Sequence, residues 1–375
     1  MQDPPFPDPP LHAAGGDRLL AHLNPEQLAA VTVGTEPVLI LAGAGSGKTR
    51  VLTTRIAWLL TTGQVSPGGV LAVTFTNKAA KEMLTRLGAM LPVSVRGMWI
   101  GTFHGLCNRF LRAHWKLAGL PQGFQILDSA DQVSAVKRVI KGLNLDEQRF
   151  VPKQVAWFIS GSKDDGLRPR DVAISDPQTA KNVDIWLAYE DQCQREGVVD
   201  FAELMLRTYE LMRDNDALRE HYQRRFRQVL VDEFQDTNKL QYRWLKMFAP
   251  PGGAADGHGE QGVLAVGDDD QSIYAFRGAQ VGNMADFERE YRVRRVIKLE
   301  QNYRSHGNIL DAANALIAHN ARRLGKNLRT DAGAGEPVRI HEATSDYAEA
   351  QWLVEELGQL HRSGTARSET ALLYR

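Results

Sequence analysis

The chain has 375 residues, enough for two or three domains with sizeable cores. Lys plus Arg and Asp plus Glu both number 45, so net charge is zero, and any nucleic-acid binding must come from a local groove. Two cysteines, Cys107 and Cys193, exclude a disulfide framework and a structural zinc site, and no apolar run approaches the ~18 residues of a membrane helix.

The first sixteen residues, rich in Pro and Gly, read as a disordered tail without the pattern of a signal peptide, so a soluble cytoplasmic protein is expected. "LNPEQLAAV" predicts a helix with Asn24 as N-cap and Pro25 in its first turn. "PVLILA" is a continuous apolar run of the kind a buried parallel strand shows. The Gly-rich turn and the helix "KTRVLTTRIAWLL" follow, then the strand "VLAVTFT" and the helix "NKAAKEMLTRLGAM". Strand alternating with helix predicts an α/β fold with a parallel sheet. Residues 104–225 carry helical spacing and read as a helical insertion, after which "RQVLVDEF" and "GVLAVGDDDQ" resume the strand signal. The Pro- and Gly-rich stretch between them, from Pro250, predicts a mobile surface loop. "VIKLEQNYRS", a following helix, and strands at "VRIHEATS" and "TALLYR" predict a second α/β unit over 294–375. The first unit then comprises 17–103 and 226–293.

"LAGAGSGKTR" sits between a buried strand and a helix, the context of a phosphate-binding loop. Gly47, Lys48 and Thr49 fit the usual pattern, with Ala42 at its first position and Gly43, Ala44, Gly45 and Ser46 between. Small residues let successive backbone N–H groups face phosphate oxygens. Lys48 can neutralise the β and γ oxygens and Thr49 can ligate Mg²⁺, with Arg50 closing the segment, so a nucleoside triphosphate is expected. "VLVDEF" sets Asp232 and Glu233 at the carboxyl edge of the sheet, where Asp232 can hold hydrated Mg²⁺ and Glu233 can deprotonate a water. In "VGDDDQSIYAFRGA", Gln271 is an uncharged donor and acceptor suited to sensing the γ-phosphate. The three aspartates before it, Asp268, Asp269 and Asp270, fit a solvated turn, and no role is assigned to all three. Tyr274, Phe276 and Arg277 suit base stacking with backbone neutralisation, and core packing of the rings competes with that reading. Arg304 in "EQNYRS" can act as an arginine finger or as a surface ion-pair partner.

Seven stretches in order, "LNPEQ", "AGAGSGKT", "TFTNKAAKEM", "GTFH", "VDEFQD", "VGDDDQSIYAFRGA" and "LEQNYRS", resemble the superfamily 1A DNA helicases, most closely the UvrD/PcrA group with Rep as near kin. The resemblance implies a RecA-like ATP-binding domain (1A), a helical insertion (1B) and the opening of a second RecA-like domain (2A). By resemblance, Gln27 senses adenine and Tyr303 stacks on it, while Arg304 is the finger. Phe75, Thr76 and Asn77, with Thr102 and His104, are implied as single-strand contacts, joined by Phe201 in "VDFAEL" and by Tyr274, Phe276 and Arg277. The implied activity is ATP- and Mg²⁺-dependent movement, 3′ to 5′, on single-stranded DNA and at single-strand/duplex junctions, in a DNA-repair setting with repair proteins or a second copy as partners. Many relatives carry Trp where Phe276 stands, and the family continues beyond this length, so truncation within the second motor domain is expected. A GTPase would need an NKxD base-reading motif, absent from "TNKAA" and "TNKLQ". The remaining rival is a nucleotide-responsive DNA-binding module without efficient turnover.

Overall fold

The computed structural model describes residues 11–253, 261–273, 278–280, 282–320 and 323–374. In chain order, helices α1 (Leu11–Leu20) and α2 (Pro25–Thr32) lead to strand β1 (Val38–Ala42), and α3 (Lys48–Thr61), β2 (Val70–Thr74), α4 (Asn77–Met90) and β3 (Trp99–Thr102) follow. A mainly helical stretch comes next, with α5 (Phe103–Ala113), β4 (Gln125–Ile126), α6 (Ser129–Gly142), α7 (Pro152–Asp164), α8 (Pro177–Glu196), β5 (Val198–Val199), α9 (Phe201–Asp214) and α10 (Asp216–Arg225). Then come β6 (Gln228–Val231), α11 (Lys239–Phe248), β7 (Gly262–Gly267), α12 (Gly282–Glu290), β8 (Arg295–Leu299), α13 (Gly307–Ile317) and α14 (Asp346–Arg362).

Six strands form one parallel sheet in the order β3-β2-β6-β7-β1-β8. Its central strands are buried along their length and mainly apolar because both faces are covered. The period of two sends Leu39 and Leu41 into one core, with Phe103, Phe110, Leu206 and Phe248 from α5, α9 and α11. Val38, Ile40 and Ala42 point the other way, into a core with Val31, Leu52, Ile56 and Met83 from α2, α3 and α4. Helices α5, α9 and α10 of the 104–225 stretch therefore pack on the sheet, α10 through Leu218 and Tyr222. A third core, separate from it, joins α6, α7 and α8 through Val136, Ile140, Ile159, Trp186 and Tyr189.

Three expectations need correction. Residues 11–16 are not tail but the opening turns of α1, whose Leu19 and Leu20 pack on the α3 side of the sheet. Strand β8, expected to open a second α/β unit, is an edge strand of the first sheet, paired with β1 from Val38↔Arg295 to Ala42↔Leu299. Ile297 and Leu299 are its buried residues, which gives one apolar face, as an edge strand requires. The strands expected at 338–345 and 370–375 are not formed over the described residues: Ile340 and Leu373 stand almost fully exposed, and α14 buries no residue. Among the described residues these segments have no neighbouring strand, and an isolated strand leaves its backbone groups unpaired. Most of the Pro- and Gly-rich loop, 254–260, lies outside the described residues.

Candidate nucleotide and single-strand site

The phosphate loop turns between β1 and α3. Gly45 and Gly47 both hold positive φ, at 73° and 87°, so small residues are needed there for backbone reasons as well as for access. Gln27 ties the loop down: its amide donates to the Ser46 carbonyl at 3.1 Å, and its carbonyl closes the capping box of α2 with Asn24. Gln27 is buried and engaged with the loop itself.

Lys48, at the first turn of α3, donates to both carboxylate oxygens of Glu233, at 2.9 and 2.8 Å. Glu233 follows β6, two strands from β1 in the sheet. It adopts the left-handed backbone conformation, φ 49°. That conformation is uncommon for a non-glycine residue and typical of functional turns. Asp232 is buried, and burial with Glu233 alongside pushes its carboxyl up to about 6, Lys48 pulling the other way. Gln235 then links strand ends, donating to Glu233 at 2.9 Å and accepting from the Asp268 N–H at 2.9 Å. Gln271 donates to Asp268, so a hydrogen-bonded chain runs from Lys48 through Glu233, Gln235 and Asp268 to Gln271.

The segment after β8 closes over this edge. Asn302 donates to the Ala44 carbonyl at 2.6 Å, and the Tyr303 N–H donates to the Gly45 carbonyl at 2.9 Å. A Cβ placed on Gly45 would lie 2.6 Å from that of Arg304, so Arg304 sits against the loop. The Tyr303 hydroxyl accepts from Asn24 at 2.9 Å, and Arg50 donates to the His22 carbonyl at 2.7 Å. Gln27, Tyr303, Arg304 and the loop from Ala42 to Arg50 thus meet in one place. Thr49 lies in the same first turn of α3, with its carbonyl taken by Thr53.

The aspartates 268–270 are not a solvated turn. Lys326, itself buried, donates to all three, and Arg323 grips Asp270 with two bonds of 3.0 and 2.7 Å. Three carboxylates this close repel one another unless cations intervene, and the cations come from more than fifty residues downstream. Nothing local in the sequence marks that pairing.

On the β2/β3 side of the same sheet edge, parallel register sets Thr74 opposite Thr102. Phe75, Thr76 and Asn77 therefore emerge beside Thr102 and His104, with the Thr102 hydroxyl 3.5 Å from Asn77. Phe201, first in α9, meets His104 edge to face with ring centres 5.9 Å apart. These six residues line one cavity of about 430 Å³. It adjoins a larger trough of about 1020 Å³ that shares Phe75, Thr102, His104 and Phe201. Burial lowers the His104 pKa, favouring the neutral ring. Burial also pushes Asp164 and Asp236, both on the trough, up to about 6. Tyr274, Phe276 and Arg277 lie outside the described residues.

Phe201 is held from behind by a buried charge cluster that sequence reasoning missed. Asp200 caps α9 and accepts from Lys163 at 2.8 Å and from Tyr189 at 3.0 Å. Lys163 also pairs with Glu203 at 2.9 Å, and Arg168 joins Glu203 to Glu190 and Glu210. Despite burial, the attraction of Asp200 and Glu203 raises the Lys163 pKa and that of Lys163, Arg207 and Arg168 lowers the Glu203 pKa, so both are charged.

Comparison with known proteins finds matches along most of the chain. Residues 23–292 match the UvrD/REP helicase N-terminal domain and residues 297–375 the UvrD-like helicase C-terminal domain. The chain is 49% identical over 358 residues to DNA helicase II of Escherichia coli (strain K12), covering 95% of this chain and 49% of that protein. It is 48% identical to DNA helicase II of Haemophilus influenzae over 95% of its length, and 41% identical to ATP-dependent DNA helicase PcrA of Staphylococcus epidermidis over a similar share. The chain spans about half the length of these relatives. With matches to both family models, and the glycine-rich loop, acidic strand end and post-β8 segment converging at one sheet edge, the chain belongs to the UvrD/REP helicase family.

Proposed function

We propose that the chain is the ATP-hydrolysing, strand-gripping part of a DNA helicase of the repair type that moves 3′ to 5′ on single-stranded DNA. The observation that carries this reading is the shared sheet edge: the Lys48–Glu233 pair and the post-β8 segment on one side, the trough of Phe75, His104 and Phe201 on the other. The relatives' printed names, DNA helicase II and PcrA, support the same reading. Residues 17–103 and 226–299 form the nucleotide unit with the insertion 104–225 between them, and residues from 300 open the second motor domain.

In this mechanism Lys48 leaves Glu233 to hold the β and γ oxygens of ATP. Glu233, released, orients a water and takes its proton. Arg304, already against the loop, bears on charge developing at the γ-phosphoryl group. Thr49 and Asp232 fit hydrated Mg²⁺, since they offer hard oxygen donors and the raised Asp232 pKa marks a carboxylate that a cation would relieve. When bound, the ion neutralises phosphate charge. Gln271 communicates with Glu233 through Gln235 and Asp268, which links nucleotide state to the loop preceding Tyr274. Aromatic walls grip bases without reading sequence, at roughly 1–3 kcal/mol per base.

Single-turnover ATP hydrolysis with and without single-stranded DNA tests the reading. DNA-stimulated cleavage is expected, and ATP binding with no response to DNA would overturn it in favour of a binding module. Displacement of streptavidin from a 3′- or 5′-biotinylated strand by the same protein tests polarity, with release from the 5′ end expected.

A further inference from the structure

Helix α7 has two faces. Val155, Ala156, Ile159 and Lys163 are buried against its neighbours. On the other side, Trp157, Ser160, Gly161 and Asp164, at spacings of three, four and seven residues, form a stripe along the wall of the larger trough. Trp157 is the one exposed tryptophan of the seven in the chain, at 64%. A large indole left in water forgoes burial that the fold could otherwise use, since such a ring carries 150–250 Å² or so of contact surface. The helix does not need it for packing.

Its surroundings suit a base. The same trough is walled by Phe75, His104 and Phe201, the last of these 49% exposed. The Lys153 ammonium lies 5.0 Å from the Trp157 ring, and Lys239 stands exposed on the α11 side. The trough also holds acceptors. Asp236 Oδ1 is buried without a hydrogen-bond partner in the structure, and Asp164 has a carboxyl of raised pKa. Acids lining the trough repel phosphate and can accept base N–H groups, an arrangement that would turn bases inward and the backbone toward the lysines.

We infer that Trp157 is a stacking platform for one further nucleobase of the bound single strand, supplied by the helical insertion, with Lys153 neutralising the adjoining phosphate. The inference rests on the single-strand reading above and extends the gripped length past Phe201 onto α7. An indole with a cation beside it matches stacking plus charge neutralisation.

The test uses the 375-residue chain and labelled oligothymidylates lengthened one nucleotide at a time, followed by fluorescence anisotropy at fixed salt. Trp157→Ala is expected to match the unsubstituted chain on the shortest oligonucleotides, then lose about 5- to 100-fold on longer ones, with the occluded length shortened by about one nucleotide. Trp157→Phe should restore most of the loss. Lys153→Ala should reduce the salt slope by about 0.7 and leave the occluded length unchanged. Equal affinities for Trp157→Ala and the parent at every length would overturn the inference and leave the proposed function standing. A uniform loss at all lengths with a lowered melting temperature would make Trp157 a structural residue and overturn the inference. Failure of the parent chain to bind any oligonucleotide would instead remove the proposed function.

Discussion

Lys48 Nζ donates to both carboxylate oxygens of Glu233, so the cation proposed to bind phosphate is paired with the residue proposed as general base. In the proposed mechanism phosphate competes for the lysine and so frees both side chains.

Substitution at the two ends of this pair should therefore change nucleotide affinity in opposite directions. Lys48→Ala is expected to weaken binding at least about tenfold through loss of a charge-assisted contact. Glu233→Gln should tighten it a few-fold, because the lysine no longer has a competing carboxylate, while lowering turnover by about 10²–10⁴. Titration with a fluorescent nucleotide, set beside single-turnover hydrolysis, checks both. Equal weakening in the two variants would show that the pair does not gate the loop.

Gly45→Ala should impair both the loop and its lid. The position has φ 73°, and an added Cβ would meet the Arg304 Cβ at 2.6 Å. A left-handed alanine costs roughly 1–2 kcal/mol, and the clash forces the Asn302–Arg304 segment away. Lower nucleotide affinity is expected with a modest fall in melting temperature. Nucleotide titration and thermal unfolding measure the two effects.

Asp164 makes a pH-dependent contribution whose sign follows from burial. Desolvation, with Asp200 and Asp165 nearby, lifts its carboxyl from 3.8 to about 6, against a hydrogen bond from Asn238. The folded chain therefore holds this proton where the unfolded chain has released it, and stability declines as pH rises through that interval. Asp164→Asn should stabilise the chain at pH 7.5 by up to about 3 kcal/mol, with the gain vanishing below about pH 4. Urea unfolding at the two pH values decides it.

Lys163→Met should be severe. It leaves Asp200 and Glu203, both buried, without their shared cation at 2.8 and 2.9 Å. Breaking a buried pair by removing one partner costs about 3–5 kcal/mol. Urea unfolding reads the loss, and single-strand affinity should fall with it because Asp200 caps the helix that begins at Phe201.

The sheet was legible because both its faces are covered: "VLILA" is apolar from end to end and "VLAVT" up to its closing threonine, which few surface elements tolerate. The candidate site residues follow from that, since each strand end carries its own polar turn. The allegiance of β8 was not legible. "RVIKL", expected to open a second α/β unit, carries no mark of its partner, and the residues that decide its place lie on β1. Asp268, Asp269 and Asp270 resemble a solvated turn until Arg323 and Lys326 arrive from over fifty residues away. Trp157 was hidden for the converse reason, because helical spacing alone does not say which of the faces of α7 meets the third core. Gln27 was assigned by resemblance to adenine, and no local pattern announced that its amide holds Ser46.

The Arg323–Lys326 clamp has a mechanical corollary. Residues 323–326 are bolted to the turn after β7 by charge, and a few residues on, the Leu328 side chain would lie 2.5 Å from a Cβ on Gly43. One short stretch of chain thus grips the exit of β7 and roofs the loop after β1. Any swing of that stretch hauls on both strand ends together, as a yoke pulls two shafts.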